Sequence, residues 1–520
     1  MAALEDAQVF LPDVWATHAA FQPDREAVVC GDERLTWGEL DLGLNRVANA
    51  LGAEGIGRGE RVAVLMSDSI DTLLTLLGVV KCGASVVPLS GMLTAEQLAV
   101  LIADAGAGTL ITSADLQPRI EPAKDGMTTI AADRFLLRGG AAAVWRDFDD
   151  LVAAAPDTPP KVRYRMTDEY NIIYSSGTTG LPKGIAQSHR ARQHWSYSNA
   201  IELAFDGDSR ALTTTPLYSN GTLLMVLPAL FVGATLVIMP GFSPRGFLEA
   251  VAEQRISHTF MVPPQFIAVL ADAAIGDFDL SSLTMMLSGG SPLRRDIKQA
   301  VLERMGPGLF EMYGFSEGCA TMIRPQQHAD KFGSVGTPVL GYEVRIVDEA
   351  GDTLPRGEVG EIAGYGGGQM LGYHNRPEAT EEIICPDERG RQFLRSGDIG
   401  RLDADGFLYI LDRKKDMIIS GGFNIFPADI EGVIGEHPAV QDVTVIGIPD
   451  ERWGETPLAL VIPAADADAE PDDIKAWSNQ RLAKHQRVKA VEFREEFPRN
   501  ALGKVLKRML RAPYWDDEAP

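Results

Sequence analysis

The stretch YSSGTTGLPKG, residues 174–184, combines four Ser and Thr hydroxyls, three glycines and one lysine within eleven residues. Bare backbone N–H groups, hydroxyl donors and a mobile cation are the chemistry of a phosphate-binding loop. The stretch is not a Walker A loop, because Gly177 and Gly180 are three residues apart and Lys183 precedes Gly184 instead of Ser or Thr. A plain Gly/Ser-rich turn is the alternative, but the apolar strand before the stretch and its Pro-Lys-Gly end favour phosphate binding.

Four more segments carry residues suited to nucleotide chemistry. They are EMYGFSEG (311–318), RSGDIG (395–400), LDRKKDMIISGGFNIFPADIE (411–431) and PRNALGKVLKRML (498–510). In the first segment an aromatic ring can stack on a base, and Glu317 is a hard oxygen ligand suited to magnesium. In the second, Asp398 can bind two ribose hydroxyls. Taken singly, the segments have simpler explanations: a solvated loop, an Asx-turn, a charged linker and a surface lysine at a helix start.

Composition restricts the class of protein. A chain of 520 residues with 45% hydrophobic and 23% charged residues predicts a globular protein of two or more domains. Its net charge of −24 disfavours nucleic acid and anionic membranes as partners, so an anionic substrate must meet a locally basic site. The four cysteines include no C-x-x-C pair, which disfavours a zinc site or a redox dithiol. With no signal-peptide pattern in the first residues, we expect a cytoplasmic protein.

The first half of the chain alternates strand and helix patterns. Residues 61–113 follow a βαβαβ rhythm, with Thr94 as a helix N-cap, and this predicts a parallel sheet covered by helices. Residues 211–244 carry no charge, which raises a membrane span as an alternative, but prolines and glycines interrupt the stretch. We therefore expect a buried helix that ends at Gly233, followed by a buried strand. After Gly333, short alternating stretches predict antiparallel strands.

The last hundred residues form a separate pattern. Charges cluster near Asp412, and beyond them Pro427 and Pro471 each open a predicted helix. Residues 440–448 predict a strand and 504–510 a last helix. The tail, residues 513–520, is predicted to be disordered. A domain boundary is placed at 412–415.

The joint order of these motifs, with SGGSPL at 288–293 and NALGK at 500–504, resembles that of the adenylate-forming superfamily from about Leu35 to Leu510. This superfamily contains acyl-CoA synthetases, luciferase-type enzymes and adenylation domains of peptide synthetases. The resemblance implies an α/β fold with a large N-terminal domain (1–411) of helix-covered mixed and parallel sheets and a β-barrel-like subdomain. A hinge (412–415, at Lys415) and a small α+β lid (416–520) follow.

The resemblance also implies the chemistry. A carboxylate attacks the α-phosphate of ATP to give an acyl-adenylate and pyrophosphate, and a thiol then displaces AMP. Lys504 would bridge the two reactants in the first step. The residues assigned to ATP are Ser175, Ser176, Gly177, Thr178, Thr179, Gly180 and Lys183 at the β- and γ-phosphates, Ser316 at the α-phosphate, Glu317 at Mg²⁺, Gly289, Gly290, Ser291, Glu311, Met312, Tyr313 and Gly314 at adenine, and Asp398 and Arg413 at the ribose.

The acceptor and the acid are assigned by the same resemblance. Free CoA is favoured as the acceptor, with Gly421, Gly422, Arg487 and Lys489 as contacts, although the usual proline between the last two is Val488. The alternative is a stand-alone adenylation enzyme that loads a phosphopantetheine carrier protein. A silent nucleotide-binding relative is disfavoured, because the catalytic residues are present.

The acid pocket is assigned to Tyr218, Ser219, Asn220 and Thr222. Ser219 replaces a histidine found in many members, and this polar pattern is similar to some bacterial hydroxycinnamate (feruloyl-type) CoA synthetases. An aromatic acid is therefore favoured, while a fatty or alicyclic acid stays open. The alternative is that these polar residues only cap the helix that they begin. A homodimer is left open.

Overall fold

The computed structural model describes residues 8–174, 182–421, 423–464, 467–499 and 504–515. The chain folds into two compact units. The first unit comprises Met1–Gln326, Pro338–Glu343 and Tyr365–Ile383, and the second comprises Gln327–Thr337, Val344–Gly364 and Ile384–Pro520. The boundary placed at 412–415 from the sequence lies inside the second unit and stays a prediction.

The helices and strands up to residue 326 are, in chain order, α1 (Leu11–Phe21), β1 (Glu26–Cys30), β2 (Glu33–Thr36), α2 (Trp37–Ala53), β3 (Arg61–Leu65), α3 (Ile70–Lys81), β4 (Ser85–Pro88), α4 (Ala95–Ala105), β5 (Thr109–Ser113), α5 (Gln117–Ile120), β6 (Phe135–Arg138), β7 (Arg146–Asp147), α6 (Phe148–Ala154), β8 (Glu169–Tyr174), β9 (Gly184–Ser188), α7 (His189–Glu202), β10 (Arg210–Thr213), α8 (Leu223–Val232), β11 (Thr235–Ile238), α9 (Pro244–Gln254), β12 (His258–Met261), α10 (Pro263–Ala271), β13 (Met285–Ser288), α11 (Arg295–Arg304), β14 (Leu309–Phe315) and β15 (Cys319–Ile323).

The later elements are α12 (His328–Lys331), β16 (Thr337–Pro338), β17 (Tyr342–Val347), β18 (Gly360–Gly366), β19 (Gly372–Tyr373), α13 (Pro377–Glu381), β20 (Ile384–Pro386), β21 (Gln392–Leu402), β22 (Leu408–Arg413), β23 (Ile418–Ser420), β24 (Phe423–Ile425), α14 (Pro427–Gly435), β25 (Val440–Asp450), β26 (Gly454–Pro463), α15 (Pro471–Asn479), β27 (Ala490–Phe493) and α16 (Lys507–Trp515).

Two sheets build the first unit. One has the strand order β19-β9-β8-β4-β3-β5-β6-β7, and the other has the order β16-β15-β14-β13-β12-β10-β11-β1-β2. Strand β3 pairs in parallel with both β4 and β5, which confirms the predicted βαβαβ unit. The side chain of Thr94 caps α4 as predicted, in a capping box with Gln97. The second sheet is parallel from β1 through β11, β10, β12 and β13 to β14. The α/β class is therefore confirmed.

The uncharged stretch 211–244 packs inside the first unit. Helix α8 is buried over most of its length despite Pro228, and it ends at Gly233, whose φ of 78° is left-handed. The buried strand β11 follows, so both elements are as predicted. Among the described residues, no helix has the length and apolar character that a membrane crossing requires.

The second unit is mainly antiparallel. In its first sheet, β21 pairs antiparallel with β18, β20 and β22, as the alternating pattern after Gly333 predicts. Its second sheet has the order β24-β23-β26-β25, with β27 beside β26. Helices α14 and α15 begin at Pro427 and Pro471 as predicted, and Ile430, Ile434 and Ile474 pack with the sheet in one apolar cluster.

The sequence placed the end of the chain incorrectly. The last helix begins at Lys507, three residues later than predicted, and residues 513–515 belong to it although they were expected to be disordered. The hydroxyl of Tyr514 donates to Glu492 at 2.6 Å, and the indole N–H of Trp515 donates to the carbonyl of Gly447 at 3.0 Å. Contacts with β25 and β27 thus extend the helix.

Replacing Gly233 with alanine should destabilise the first unit. The new Cβ would lie 2.5 Å from Gln22 Nε2 and 2.6 Å from His18 Nδ1, at a backbone φ of 78°. We expect the free energy of unfolding to fall by about 1–3 kcal/mol. Gly52 in α2 is the matched control, because nothing lies within 4 Å of its added Cβ. Gly52→Ala should raise stability by about 0.5–1 kcal/mol. Equal thermal midpoints for the two variants would contradict the expected effect of the added Cβ at Gly233.

Candidate active site

Tyr373 lies between two of the residues assigned to ATP. It pairs with Ile185 of β9, two residues after Lys183. The ammonium nitrogen of Lys183 lies 4.5 Å from the centroid of the tyrosine ring, which is within the range of a cation–π interaction. The tyrosine hydroxyl donates to Glu317 Oε1 at 2.6 Å. One neutral side chain therefore holds a cation and a carboxylate together.

Tyr373 also fixes how Glu317 can act. Burial, and secondarily Glu317, raise the pKa of the tyrosine hydroxyl above its ordinary value, so it remains a protonated donor. The backbone N–H of Met370 donates to the carbonyl of Glu317 at 2.8 Å and holds the loop. Among the described residues, no group of three or more His, Cys, Asp or Glu could hold a metal alone. A single positioned carboxylate suits Mg²⁺, which typically completes its shell with phosphate oxygens and water.

Ser316 is fixed at both its backbone and its side chain. The side-chain amide of Gln187 donates to the carbonyl of Ser316 at 2.7 Å. The amide nitrogen of Asn220 donates to Ser316 Oγ at 2.9 Å. Arg192 in turn donates from Nη2 to Asn220 Oδ1 at 2.9 Å. Ser316 is thus held directly by β9 and by the loop before α8, and indirectly by α7 through Arg192.

The two segments assigned to adenine leave neighbouring parallel strands. Ser288 of β13 pairs with Glu311 of β14, so the loop 289–291 and the end of β14 lie at the same edge of the sheet. In open parallel sheets, ligands typically bind at the carboxyl ends of the strands. Glu311, Met312, Tyr313 and Gly314 are consecutive residues of β14. A Cβ on Gly289 would lie 3.3 Å from the carbonyl of Met312, so glycine permits the close approach of the two segments.

The side chain of Glu311 has a structural partner. It forms an ion pair of 2.5 Å with Lys298 of α11, and both side chains are buried. Its other oxygen accepts a hydrogen bond from the backbone N–H of Leu293 at 3.4 Å. The side chain of Glu311 therefore anchors the segment after the glycine loop.

Within the second unit, the residues assigned to ribose and catalysis come together. Asp398 and Arg413 are register partners in β21 and β22, and the guanidinium Nε lies 2.7 Å from the buried carboxylate. The pKa of Lys504 is lowered to about 8, chiefly by burial and then by Arg413 and Lys415, while Asp398 and Asp416 oppose this shift.

The predicted hinge lies in the turn that follows β22. Lys415 is in this turn, and its carbonyl accepts a hydrogen bond from Arg511 Nη1 at 3.5 Å. Asp412 accepts a hydrogen bond from the backbone N–H of Ala428 at 2.9 Å, at the start of α14. Burial raises the pKa of Asp412 to about 6.

Three of the residues assigned to CoA are described, and Gly421, Arg487 and Lys489 lie on exposed parts of the second unit. Arg487 is exposed, and Lys489 forms an ion pair of 3.1 Å with Asp450. Val488 is buried, and its backbone N–H donates to Asn479 Oδ1 at 2.9 Å, a bond that proline could not make. Gly421 has a φ of 57°, and a Cβ there would lie 2.6 Å from the ring of Trp453.

The residues assigned to the acid divide into two pairs. The Asn220 amide is engaged with Arg192 and Ser316, and the Thr222 hydroxyl donates to the carbonyl of Pro216 at 2.6 Å. Thr222 stands at the N-cap of α8 without a side-chain capping bond, so helix capping is not its role. Tyr218 and Ser219 remain the candidates for contact with an acid. Burial raises the pKa of the Tyr218 hydroxyl.

Part of the predicted site lies outside the described residues. This part comprises Ser175, Ser176, Gly177, Thr178, Thr179, Gly180 and Gly422. Strand β8 ends at Tyr174 and β9 begins at Gly184, so described strands flank the phosphate-loop segment on both sides.

The chain matches the family model described as AMP-binding enzyme over residues 15–374, and the model of the AMP-binding enzyme C-terminal domain over residues 429–504. The chain belongs to the AMP-binding enzyme family. It is 36% identical over 500 residues to a feruloyl-CoA synthase of Amycolatopsis sp, covering 95% of this chain and 97% of that protein. It is 33% identical over 499 residues to an indoleacetate–CoA ligase of Aromatoleum aromaticum, covering 95% and 96%.

A solved structure of this AMP-binding enzyme family has the same fold. The o-succinylbenzoate CoA synthetase MenE of Bacillus subtilis, in complex with its acyl-adenylate intermediate OSB-AMP, superposes with a TM-score of 0.85 at 27% identity. The match covers 97% of this chain and 98% of that chain. The resemblance to the adenylate-forming superfamily is confirmed.

Sequence reasoning missed three residues at this site: Gln187, Arg192 and Tyr373. The tyrosine lies in a strand of two residues, too short to give a pattern, and its partner Glu317 is 56 positions away. Arg192 is one of two arginines on α7, and a solvated position is the ordinary expectation for an arginine on a helix. No local signal in the sequence could have identified them.

Removing Arg413 from its pair with Asp398 should destabilise the second unit. Arg413→Met deprives a buried carboxylate of its guanidinium partner, and because the arginine is itself 38% exposed we expect a loss of only about 1–3 kcal/mol. The double variant with Asp398→Asn should lose less than the sum of the single variants. Chemical denaturation of all four proteins measures this coupling, and strictly additive losses would contradict it.

Proposed function

We propose that this AMP-binding enzyme is an acid–CoA ligase that activates an aromatic acid of the hydroxycinnamate type. ATP and the acid form an acyl-adenylate and release pyrophosphate, and the thiol of CoA then displaces AMP to give the thioester. The arrangement of Lys504, Asp398 and Arg413 within the second unit carries the proposal, because it combines a cation for catalysis with a ribose-binding carboxylate. A fatty acid is the second candidate.

The first unit would hold the triphosphate. Lys183 lies beside the phosphate-loop segment and Ser316 follows β14, so a cation and a hydroxyl donor are both available. Charge moves onto pyrophosphate in the first step, and pre-positioned donors and cations stabilise that transition state. We propose Glu317 as the Mg²⁺ ligand, because Tyr373 orients its carboxylate and the metal supplies further neutralisation of the phosphates when bound.

Lys504 would act on the first half-reaction. Its ammonium group can bridge the attacking carboxylate and the α-phosphate as a point charge on a flexible stem. We place the swing of the lid at Lys415, which would remove Lys504 before the thiol attacks. With the hinge at 412–415, the proposed domains are residues 1–411 and a lid of residues 416–520 that carries Lys504.

Free CoA is the proposed acceptor. Arg487 is exposed and can reach a phosphate, and Lys489 can exchange its partner Asp450 for one. Tyr218 and Ser219 offer hydroxyl groups that suit a phenol or methoxyphenol. We propose a cytoplasmic location, which agrees with four cysteines that form no disulfide.

A screen of pyrophosphate release over aromatic, fatty and alicyclic acids, with and without CoA, tests the proposal. We expect the highest kcat/KM with a hydroxycinnamate and formation of its CoA thioester. A higher kcat/KM with a fatty acid would contradict the hydroxycinnamate assignment and would favour a fatty acid–CoA ligase. Thioester formation on phosphopantetheine carrier proteins and not on free CoA would favour the carrier-loading alternative.

Substituting Lys504 should separate the two half-reactions. Lys504→Ala should slow acyl-adenylate formation by about 100-fold or more, because a transition-state cation is lost, yet supplied acyl-adenylate should still be converted to thioester. The pKa of about 8 adds a pH dependence: in the free enzyme the ammonium form predominates below pH 8, so kcat/KM for adenylation should decline as the pH rises through 8. Lys504→Arg should remove this decline.

Isotope exchange between pyrophosphate and ATP measures the first step, and thioester formation from synthetic acyl-adenylate measures the second. Equal losses in both steps would contradict the assigned role. A decline in adenylation above pH 8 that persists in Lys504→Arg would assign the titration to another group.

A further inference from the structure

Arg192 is a buried cation with no carboxylate beside it. Its side chain on α7 is 0% exposed, and no Asp or Glu of the described residues forms an ion pair with it. Its partners are the amide oxygens of Asn171 at 2.7 Å and Asn220 at 2.9 Å, and the ring of Trp195 at 4.7 Å. Burial lowers its pKa to about 10, so it stays charged at neutral pH.

An uncompensated buried charge is costly, and natural proteins usually pair it. Among the described residues, Arg192 is met by two amide groups and an aromatic ring, all neutral, so no carboxylate cancels its positive charge. Nitrogen Nη1 of Arg192 and Nδ2 of Asn171 meet no acceptor among the described residues. Such an arrangement favours an anion near the end of the hydrogen-bond chain that starts at this arginine.

The direction of that chain follows from its donors. A guanidinium only donates, so Asn220 must turn its oxygen toward Arg192. Its NH₂ group then faces Ser316 Oγ, 2.9 Å away, and an amide NH₂ also only donates. The serine oxygen is therefore an acceptor in this bond, and its own proton is available to a different acceptor.

The serine backbone is fixed independently. Gln187 of β9 donates to the carbonyl of Ser316 at 2.7 Å, and β9 begins directly after Lys183. The position of the serine and the direction of its hydroxyl are thus set by two separate contacts. The backbone contact comes from β9, which directly follows the phosphate-loop segment, and the side-chain contact comes from the loop before α8.

We propose that Arg192, acting through Asn220, is a positioning residue that turns the hydroxyl of Ser316 into a hydrogen-bond donor to the α-phosphate of ATP. The inference rests on the proposed function, in which this serine contacts that phosphate. The charge of Arg192 adds positive potential on the same side. Asn220 accordingly belongs to the phosphate site rather than to the acid pocket.

Asn220→Asp gives the sharpest test. The introduced carboxylate is a counter-ion for Arg192, so the thermal midpoint should stay equal or rise. A carboxylate only accepts, so the Ser316 hydroxyl would donate to it and turn away from the phosphate. We expect ATP–pyrophosphate exchange to fall by about 30-fold or more in kcat, with the KM for the acid changed less than about 3-fold. A stabilised variant with unchanged kcat would overturn the proposal.

A double-mutant cycle separates positioning from general packing. Asn220→Ala and Arg192→Gln should each lower kcat by about 10-fold. The first removes the donor to Ser316 Oγ. The second introduces an amide that can both donate and accept, so it no longer enforces the orientation of the Asn220 amide. In the Ser316→Ala background, each should cost less than about 2-fold further. Multiplicative losses would show that these residues act independently of the serine, and would overturn the proposal.

The controls cover folding and the underlying function. Asn199→Ala is the matched variant, because among the described residues the side-chain amide of this buried α7 residue donates to the Trp195 carbonyl alone, and it should retain wild-type kcat. If Arg192→Gln does not fold, the cycle of Asn220→Ala with Ser316→Ala decides alone. A wild-type protein without acid-dependent exchange for any acid would overturn the function and this inference together, whereas an active wild type with uncoupled variants would overturn this inference alone.

Discussion

A triphosphate can bind to a protein of net charge −24 only where cations are held in place and are not cancelled by the acids around them. In the first unit, Arg192 is held by the side-chain amides of two asparagines, which are neutral. Lys183 lies over the ring of Tyr373. A carboxylate in place of either asparagine would neutralise the arginine charge that the phosphates need.

In the second unit, by contrast, a cation is paired with a carboxylate. Arg413 is paired with Asp398, whose carboxylate is also suited to ribose hydroxyls, and Lys504 carries a pKa lowered to about 8 by burial. A lysine close to half-protonation near physiological pH responds to the charges that approach it. Its protonation is therefore sensitive to an incoming phosphate, which would raise its pKa.

The parallel sheet of the first unit explains how distant segments meet. Strands β13 and β14 are adjacent and parallel, so the glycine loop after one and the aromatic residues of the other share an edge. Antiparallel pairing then returns the chain through β15, with the loop of Ser316 and Glu317 between the two strands. The register of the backbone pairing thus brings the glycine loop, the end of β14 and the loop of Ser316 and Glu317 together, whatever rotamers their side chains adopt.

The class of fold, the parallel βαβαβ unit and the buried helix ending at Gly233 could all be predicted from the sequence, and the residues assigned to ATP stay predictions from the order of its motifs. These features are written in local periodicity, in single glycines and prolines, and in the order of short motifs. Helix ends were less accurate: contacts with Glu492 and Gly447 extend the last helix to Trp515, and no local pattern encodes such contacts.

Only the tertiary structure decided which residues support the motifs. Tyr373 reaches Glu317 across 56 positions, and Arg192 reaches Asn220 across 28. Asn220 and Thr222, assigned to the acid from their position in the chain, are engaged by protein partners instead. The direction of a hydrogen bond depends on which donor faces which acceptor in three dimensions. The sequence specifies the type of each residue, but the fold sets which residues become its neighbours in space.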